Sequence, residues 1–443
     1  MPIQSVISYT PTAMLWIYRL IVLLLLPLAL LRLRRAPDEA LNHSWRERLG
    51  DLPDQPNSAA QSKIWLHAAS VGEVNAVKPL VQHLLDSGHP LMMSTMTHSG
   101  IRHLDQTLTH PGLSTALAPL DTQFAVQRWL KQVRPAAVII VETELWPEML
   151  HQCHARQIPV ILVNARLTAT AARRYRWIKP LFKPQLARIS LALTQSEADS
   201  QRFIDLGLRP AAQTVVGNLK FDQPDCGPRT VSDGMQWLTD TATERKCWVA
   251  GSTRSGEDRI MFEAHRLIQA DHPDALLILA PRHVTRSAAI LRQVHAHDLK
   301  GMRLSQWQVS PVTTPPDVII LDGIGELTET YRLAQACFVG GSLVPVGGHN
   351  LIEPAALGKP VLSGPHLSNQ AEAAQCLDAS AALIRIDGAG QLAAEVSALL
   401  ADTDRTRQLG GRAKAALASH QGSLEATLQS ITPLLGGSAQ RSN

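Results

Sequence analysis

Several short segments of this 443-residue chain carry residue types at spacings that suit chemistry. Trp65-Leu-His-Ala-Ala-Ser-Val-Gly-Glu-Val-Asn-Ala76 reads as a strand, a bend at Ser70–Gly72 and a helix opening at Glu73. A carboxylate at the carboxyl end of a strand is placed to serve as general base for a hydroxyl, and it equally suits a helix's first turn, where it complements the dipole. Val141-Glu-Thr-Glu-Leu-Trp-Pro147 sets Glu142 and Glu144 directly after an apolar run. If the strand continues, both carboxylates share one side and repulsion raises one pKa; if the chain bends before Pro147, one of them caps the next helix. Gly217-Asn-Leu-Lys-Phe-Asp222 brings Lys220 to a proline- and glycine-broken stretch, as a solvated cation or a functional one. Asn164-Ala-Arg-Leu167 and Gln195-Ser-Glu197 also follow strands, either lining the same region or forming turns and caps.

The second half is organised around Val339-Gly-Gly-Ser-Leu-Val-Pro-Val-Gly-Gly-His-Asn-Leu-Ile-Glu-Pro-Ala-Ala-Leu-Gly-Lys-Pro-Val361. This reads as a buried strand, a glycine-rich bend and a helix opening near Asn350, with Glu353 on its first turn, where a carboxylate can take two ribose hydroxyls. Paired glycines let backbone approach a ligand, and helix-start N–H groups favour an anion. The competing reading is a packing turn. The pattern is neither a Walker A loop nor a Gly-x-Gly-x-x-Gly turn, and it resembles the donor-nucleotide site of a GT-B-type glycosyltransferase. Gly251-Ser-Thr-Arg-Ser-Gly-Glu-Asp258, Pro281-Arg-His-Val-Thr-Arg286 and Asp322-Gly-Ile-Gly-Glu-Leu327 are three more strand-end loops. The first suits phosphate oxygens or an N-cap; Arg282 suits a phosphate or a base, and Arg286 a surface charge.

Positioning these loops requires strands that alternate with helices. Ile64–Ala69, Leu91–Thr95, Ala136–Val141, Val160–Val163, Leu191–Thr194 and Thr214–Val216 read as a first series of strands. Cys247–Ala250, Leu276–Ala280, Met302–Leu304, Val318–Leu321, Cys337–Val339 and Val361–Leu362 read as a second. Such alternation predicts parallel sheets covered on both faces, hence an α/β chain of two Rossmann-like domains with ligands in a cleft at the strand ends. The series part near Asn218–Arg229, at Pro224, Gly227 and Pro228. The expected divisions are residues 1–50 as a membrane anchor and juxtamembrane segment, 51–222 as an acceptor-binding domain, 223–435 as a nucleotide-binding domain and 436–443 as a tail. Charged residues are 18% and net charge is +4 without strong clustering, which argues against a nucleic-acid partner and suits a phosphorylated or membrane-surface one. Five scattered cysteines with no Cys-x-x-Cys argue against a zinc site and a disulfide framework.

Met14–Leu31 is almost wholly apolar, broken by Arg19 and followed by Arg32, Arg34 and Arg35. Eighteen residues make a helix of about 27 Å, close to a hydrocarbon core. Arg19 is expected to snorkel to the interface. Charge after the apolar run opposes a cleaved signal peptide and orients the following chain to the cytoplasm. The expectation is a single-pass membrane anchor, with an interfacial helix as the alternative.

Taken together, these segments resemble the 3-deoxy-D-manno-octulosonic acid (Kdo) transferases of Gram-negative bacteria, from Tyr18 through Glu47-Arg-Leu-Gly50 to the C-terminal helices. The resemblance implies a GT-B enzyme at the inner membrane that transfers Kdo from CMP-Kdo to a lipid A precursor, lipid IVA, with inversion, in lipopolysaccharide synthesis. It implies Glu73 as general base and Glu142 and Lys220 as transition-state stabilisers, with Glu144 as the alternative second carboxylate. CMP contacts carry over onto Pro281, Arg282, Ile324, Gly325, Glu326, Asn350, Leu351, Ile352 and Glu353. The family's loop has Thr where this chain has Gly323, which removes a hydroxyl contact. No Asp-x-Asp follows a strand here, and Asp402-Thr-Asp404 reads as a helix cap, so neither a catalytic metal nor a cofactor beyond the CMP-Kdo donor is expected. The competing functions are a GT-B transferase or epimerase acting on a UDP-sugar, and a membrane adaptor that kept the fold without catalysis.

Overall fold

The apolar runs form two seven-stranded sheets in which all pairings are parallel. The structure, a computed structural model, describes residues 11–34, 41–52, 62–222, 233–307, 316–323 and 325–435. Most of the predicted linker (53–60), the prolines and glycine of the predicted break (224, 227, 228), Arg35, Ile324 and the tail 436–443 lie outside the described residues, as do the side chains of Arg32 and Arg34.

The first sheet contains β1 (Ile64–His67), β2 (Leu91–Thr95), β3 (Leu113–Leu117), β4 (Ala137–Val141), β5 (Val160–Ala165), β6 (Leu191–Thr194) and β7 (Gln213–Val215) in the order β3-β2-β1-β4-β5-β6-β7. Residues alternate between its two faces, as a two-unit pleat requires. Trp65, Met92, Val138, Ile140 and Leu162 enter one core, and Ile64, Leu66, Met93, Ile139, Val141 and Ile161 the other. The second sheet contains β8 (Cys247–Thr253), β9 (Leu276–Pro281), β10 (Gly301–Arg303), β11 (Val318–Ile320), β12 (Ala336–Val339), β13 (Val361–Ser363) and β14 (Leu383–Arg385), ordered β10-β11-β9-β8-β12-β13-β14. Strands β3 and β14 are weakly marked in the sequence: Leu113-Ser-Thr-Ala-Leu117 has two polar residues in five and Leu383-Ile-Arg385 spans three residues. Their pairing is set by neighbours rather than by composition.

Contacts divide the chain into two compact units, Met1–Gln223 with Gln421–Asn443, and Pro224–His420. The sequence reading put the closing helix Ser423–Leu435 with the second half. It packs instead on the first unit, where Leu428, Ile431 and Leu435 join the core behind β1 and β4, and the Asp222 carboxylate accepts from the N–H of Gly422 and Leu424, both at 2.6 Å. An amphipathic period does not say which sheet its apolar face will meet.

The expected membrane span is also corrected. Among the described residues, no helix is long and apolar enough to cross a membrane. The leading helix Pro11–Arg34 is docked along one flank: Leu15 is buried in the first unit's core, and Arg19, expected to snorkel, instead makes a two-toothed ion pair with buried Glu148. The four described cysteines are free thiols.

Candidate functional site

In each sheet the chain crosses from one half to the other beside its first strand, between β1 and β4 in the first and between β8 and β12 in the second. Loops leaving the carboxyl ends of strands at such a point diverge and leave a crevice. Glu73 follows β1 and Glu142 follows β4; Arg254 follows β8 and the Gly340-Gly341 pair follows β12. The sequence motifs therefore sit where the topology opens.

In the first unit, Ser70 caps the helix Val71–Asp86, its Oγ accepting from the Glu73 N–H at 3.3 Å. The Glu73 carboxylate reaches back to accept from the Ala69 N–H at 2.6 Å and the Ser70 hydroxyl at 3.2 Å. The contacts of a first-turn capping carboxylate are thus made by the residue expected to be the base. Its pKa is pushed up to about 7, by burial first and then by the negative charge of Glu142, against the pull of the Ala69 N–H. A base poised there is half-ionised near neutral pH, where proton transfer is most effective.

Glu142 and Glu144 do not share one side of a continued strand. The chain bends, Glu142 takes a left-handed backbone (φ 59°), and the two carboxylates separate. Glu142 accepts from Lys220 Nζ at 3.0 Å, and Glu144 from the Trp146 indole at 2.8 Å. Neither caps the helix Pro147–Ala155; Asp121, which reads in the sequence as the start of the helix after it, does so by accepting from the Glu148 and Met149 N–H groups. Lys220 is brought in by Asn164, a buried residue with φ 53°, whose Oδ1 accepts from the Leu219 N–H at 3.0 Å. A left-handed non-glycine backbone costs energy and persists only where surroundings enforce it. Glu73, Glu142 and Lys220 are therefore brought together. In the Gln195–Glu197 segment, Ser196 is an N-cap and Gln195 bonds the Asn164 carbonyl, so both support the site rather than line it.

The second unit departs further from expectation. The glycine-bend amides were expected to receive an anion, but buried Glu257 already occupies them. Its carboxylate accepts from the N–H of Arg254, Gly341, Ser342 and Leu343 at 2.8–3.0 Å. The Gly348 and His349 N–H groups bond the carbonyls of Gly341 and Gly340, and the Ile352 N–H bonds Asn350 Oδ1. Gly341 must be glycine: φ is +70°, and a Cβ would stand 2.8 Å from the His349 ring.

The side chains left to meet a phosphate are cationic. Arg254, which the motif reading passed over, donates through Nε to His349 Nε2 at 3.1 Å and through Nη1 to His283 Nε2 at 2.9 Å. A guanidinium only donates, so both imidazoles accept and are neutral there; His349 is pushed down to about 4 by burial and by Arg254 and Arg282. Arg254 thereby joins the Pro281–Arg286 loop to the Gly348–Glu353 turn. Exposed Arg282 lines a cavity of about 380 Å³ with Pro281, His283, Gly323 and Gly325. Arg286 is not a surface charge; it is paired with Asp258, whose side chain is 3% exposed. Asn350 Nδ2 donates to Glu353 Oε1 at 2.9 Å, setting that carboxylate on the first turn of Ile352–Ala356. Leu351 and Ile352 have buried side chains, so only their backbone could meet a ligand. The missing threonine at 323 is partly filled: a Cβ there would lie 2.8 Å from Glu326 Cδ. Asp402 caps the helix Thr403–Ala418, as read. Among the described residues, no three His, Cys, Asp or Glu side chains group so as to hold a metal ion.

Comparison with known proteins agrees with this geometry. Residues 43–223 match the family model described as 3-Deoxy-D-manno-octulosonic-acid transferase (kdotransferase). The chain is 34% identical to the 3-deoxy-D-manno-octulosonic acid transferase of Haemophilus influenzae, over 84% of this chain and 87% of that one. It is 33% identical to the enzyme of the same description from Bordetella pertussis, over 88% and 91%. A solved glycosyltransferase from Rickettsia africae, 12% identical, superposes with a TM-score of 0.54 over 86% of this chain and all of that one, a likeness of fold. With two parallel-sheet Rossmann-like units and relatives this close over most of its length, the chain belongs to the 3-deoxy-D-manno-octulosonic acid transferases, glycosyltransferases of lipopolysaccharide synthesis.

Proposed function

We propose that the protein transfers Kdo from CMP-Kdo to a hydroxyl of lipid IVA, with inversion and without a metal, and that Glu73 is its general base. The observation that carries this is the Glu73 carboxylate, held near neutrality beside the Glu142–Lys220 pair. Glu73 takes the acceptor proton as the acceptor oxygen bonds to the anomeric carbon of Kdo. The bond from that carbon to the phosphate oxygen breaks, and CMP departs with the electron pair. Arg254 and Arg282 stabilise the departing phosphate, Glu353 accepts from the ribose hydroxyls, and Pro281 and Gly325 line the nucleotide cavity. Lys220 pairs with Glu142 next to the base. The enzyme works on the cytoplasmic side of the bacterial inner membrane, with the apolar outer side of its leading helix against the lipid.

The test is transfer from CMP-Kdo to detergent-dispersed lipid IVA, read by mass spectrometry. Glu73→Gln should lose ~10²–10⁴-fold in kcat while CMP affinity stays near wild type. A folded variant that keeps more than about a tenth of the wild-type rate would remove Glu73 as the base. Turnover of a UDP-sugar, with none of CMP-Kdo, would favour the epimerase-like reading.

A further inference from the structure

The leading helix Pro11–Arg34 has an inverted pattern. Leu15, Tyr18, Arg19, Val22 and Leu26 recur at helical spacing and are its sheltered stripe, yet two of them are polar. The outward residues are apolar: Trp16 is 60% exposed, Leu20 58% and Leu24 70%. A surface helix in water shows the reverse, with apolar residues inward and polar ones outward.

The inward polar residues meet buried carboxylates. The Tyr18 hydroxyl donates to Asp121 Oδ2 at 2.7 Å, and the same carboxylate accepts from the N–H of Glu148 and Met149, the first turn of the helix Pro147–Ala155. Arg19 donates through Nε to Glu148 Oε2 at 2.7 Å and through Nη2 to Oε1 at 3.0 Å; Glu148 is fully buried and also accepts from Gln152 at 2.6 Å. The helix so held is the one that follows the Glu142–Trp146 loop directly. A paired guanidinium and carboxylate fix orientation at two points, which apolar packing alone does not.

We propose that Tyr18 and Arg19, with Asp121 and Glu148, are positioning residues that lock the leading helix to the helix carrying the Glu142 loop, so that a lipid surface sets the placement of the acceptor site. The occupant of the helix's outer side is the hydrocarbon of a bilayer face. The outward side chains are apolar without interruption from Leu20 to Leu25 apart from sheltered Val22, and beside Phe124 they border an open groove of about 380 Å³. The sheltered flank bears on the protein over residues 14–22, so the helix lies along the surface there. This rests on the reading of the protein as a transferase to a lipid acceptor.

The test uses the full chain. Arg19→Met paired with Glu148→Gln removes the ion pair without stranding a buried charge, and Tyr18→Phe removes the hydroxyl. The combined variant should still sediment with phosphatidylethanolamine–phosphatidylglycerol vesicles. Its kcat on vesicle-embedded acceptor should fall roughly tenfold while its rate on detergent-dispersed acceptor stays within about twofold and its KM for CMP-Kdo is unchanged. Arg19→Lys should recover part of the loss. Equal loss in both media, or loss in neither, overturns the proposal. If the wild type transfers to neither acceptor, the transferase reading has failed, and hydrogen exchange decides the latch separately. Faster exchange at residues 14–22 and 147–149 in the vesicle-bound variant supports it, and unchanged exchange overturns it.

Discussion

Lys220 Nζ lies 3.0 Å from Glu142 Oε1, joining residues 78 apart in sequence directly beside Glu73. The pair is partly open to solvent, so its worth to stability is small. Its consequence is electrostatic: the cation offsets a negative charge that otherwise opposes ionisation of Glu73.

Lys220→Met should therefore raise the pKa of Glu73 above its value of about 7. As the proposed base Glu73 works deprotonated, so the acid limb of kcat/KM moves to higher pH. A pH–rate series on wild type and variant reads this directly, and a limb that stays put or moves to lower pH contradicts the coupling.

Glu73 should also cost stability as it ionises. Its folded pKa of about 7 lies above the ordinary 4.5 of a glutamate, so the favourable protonated form is fully present below about 4.5 and is lost as pH rises through 7. Glu73→Gln cannot ionise and keeps an oxygen for the Ala69 N–H. Melting curves should show Tm of the variant rising relative to wild type from pH 4.5 to 8. A constant difference would mean that Glu73 is not strained.

Arg254 and Glu353 should be separable by ligand. Arg254→Gln weakens CMP binding but leaves cytidine binding alone, because only the phosphate is lost from contact. Glu353→Ala weakens both, by ~1.5–3 kcal/mol if its carboxylate takes the ribose hydroxyls. Calorimetry with the two ligands distinguishes them, and an Arg254 variant that loses equally on cytidine would exclude a phosphate role.

Glu257→Ala leaves four N–H groups of the glycine bend without their shared acceptor. Charge-assisted bonds of this kind contribute about 1.5–3 kcal/mol each in favourable cases, so unfolding of the second unit should shift well beyond a surface substitution. Glu257→Gln, with one acceptor oxygen in place of two, should fall between. Denaturant midpoints equal to wild type for both would show that the carboxylate does not shape the bend.

Much of this was legible in sequence. The central strands are runs such as Val138-Ile-Ile-Val141, which nothing but a doubly covered sheet buries, and Glu73 and Glu353 do lie on the first turns of helices that follow strands, as the pattern reads. Less legible were contacts made by long-range closure. Arg254 looks like loop punctuation until His283 and His349 arrive from loops 29 and 95 residues away. Glu257 reads as a helix-start acid, and only the fold shows it lying in the amide nest that seemed reserved for a ligand. Arg19 sits in an apolar run that suits a bilayer by composition, while its buried partner is 129 residues distant. Period and composition report one element; they carry no address for the partner.

The helix Ser423–Leu435 completes the first unit only after the whole of Pro224–His420 has been synthesised. Until then Leu219 and the core it shares with Leu428 and Ile431 remain uncovered, and Asp222 lacks the two amides that hold it. Domains generally fold in order of emergence from the ribosome. Here the order is reversed at the last step: the second unit, an unbroken stretch of chain, can finish first, and the unit that carries Glu73 matures late. A stop codon near residue 420 would leave the second unit intact and expose the core of the unit that carries Glu73.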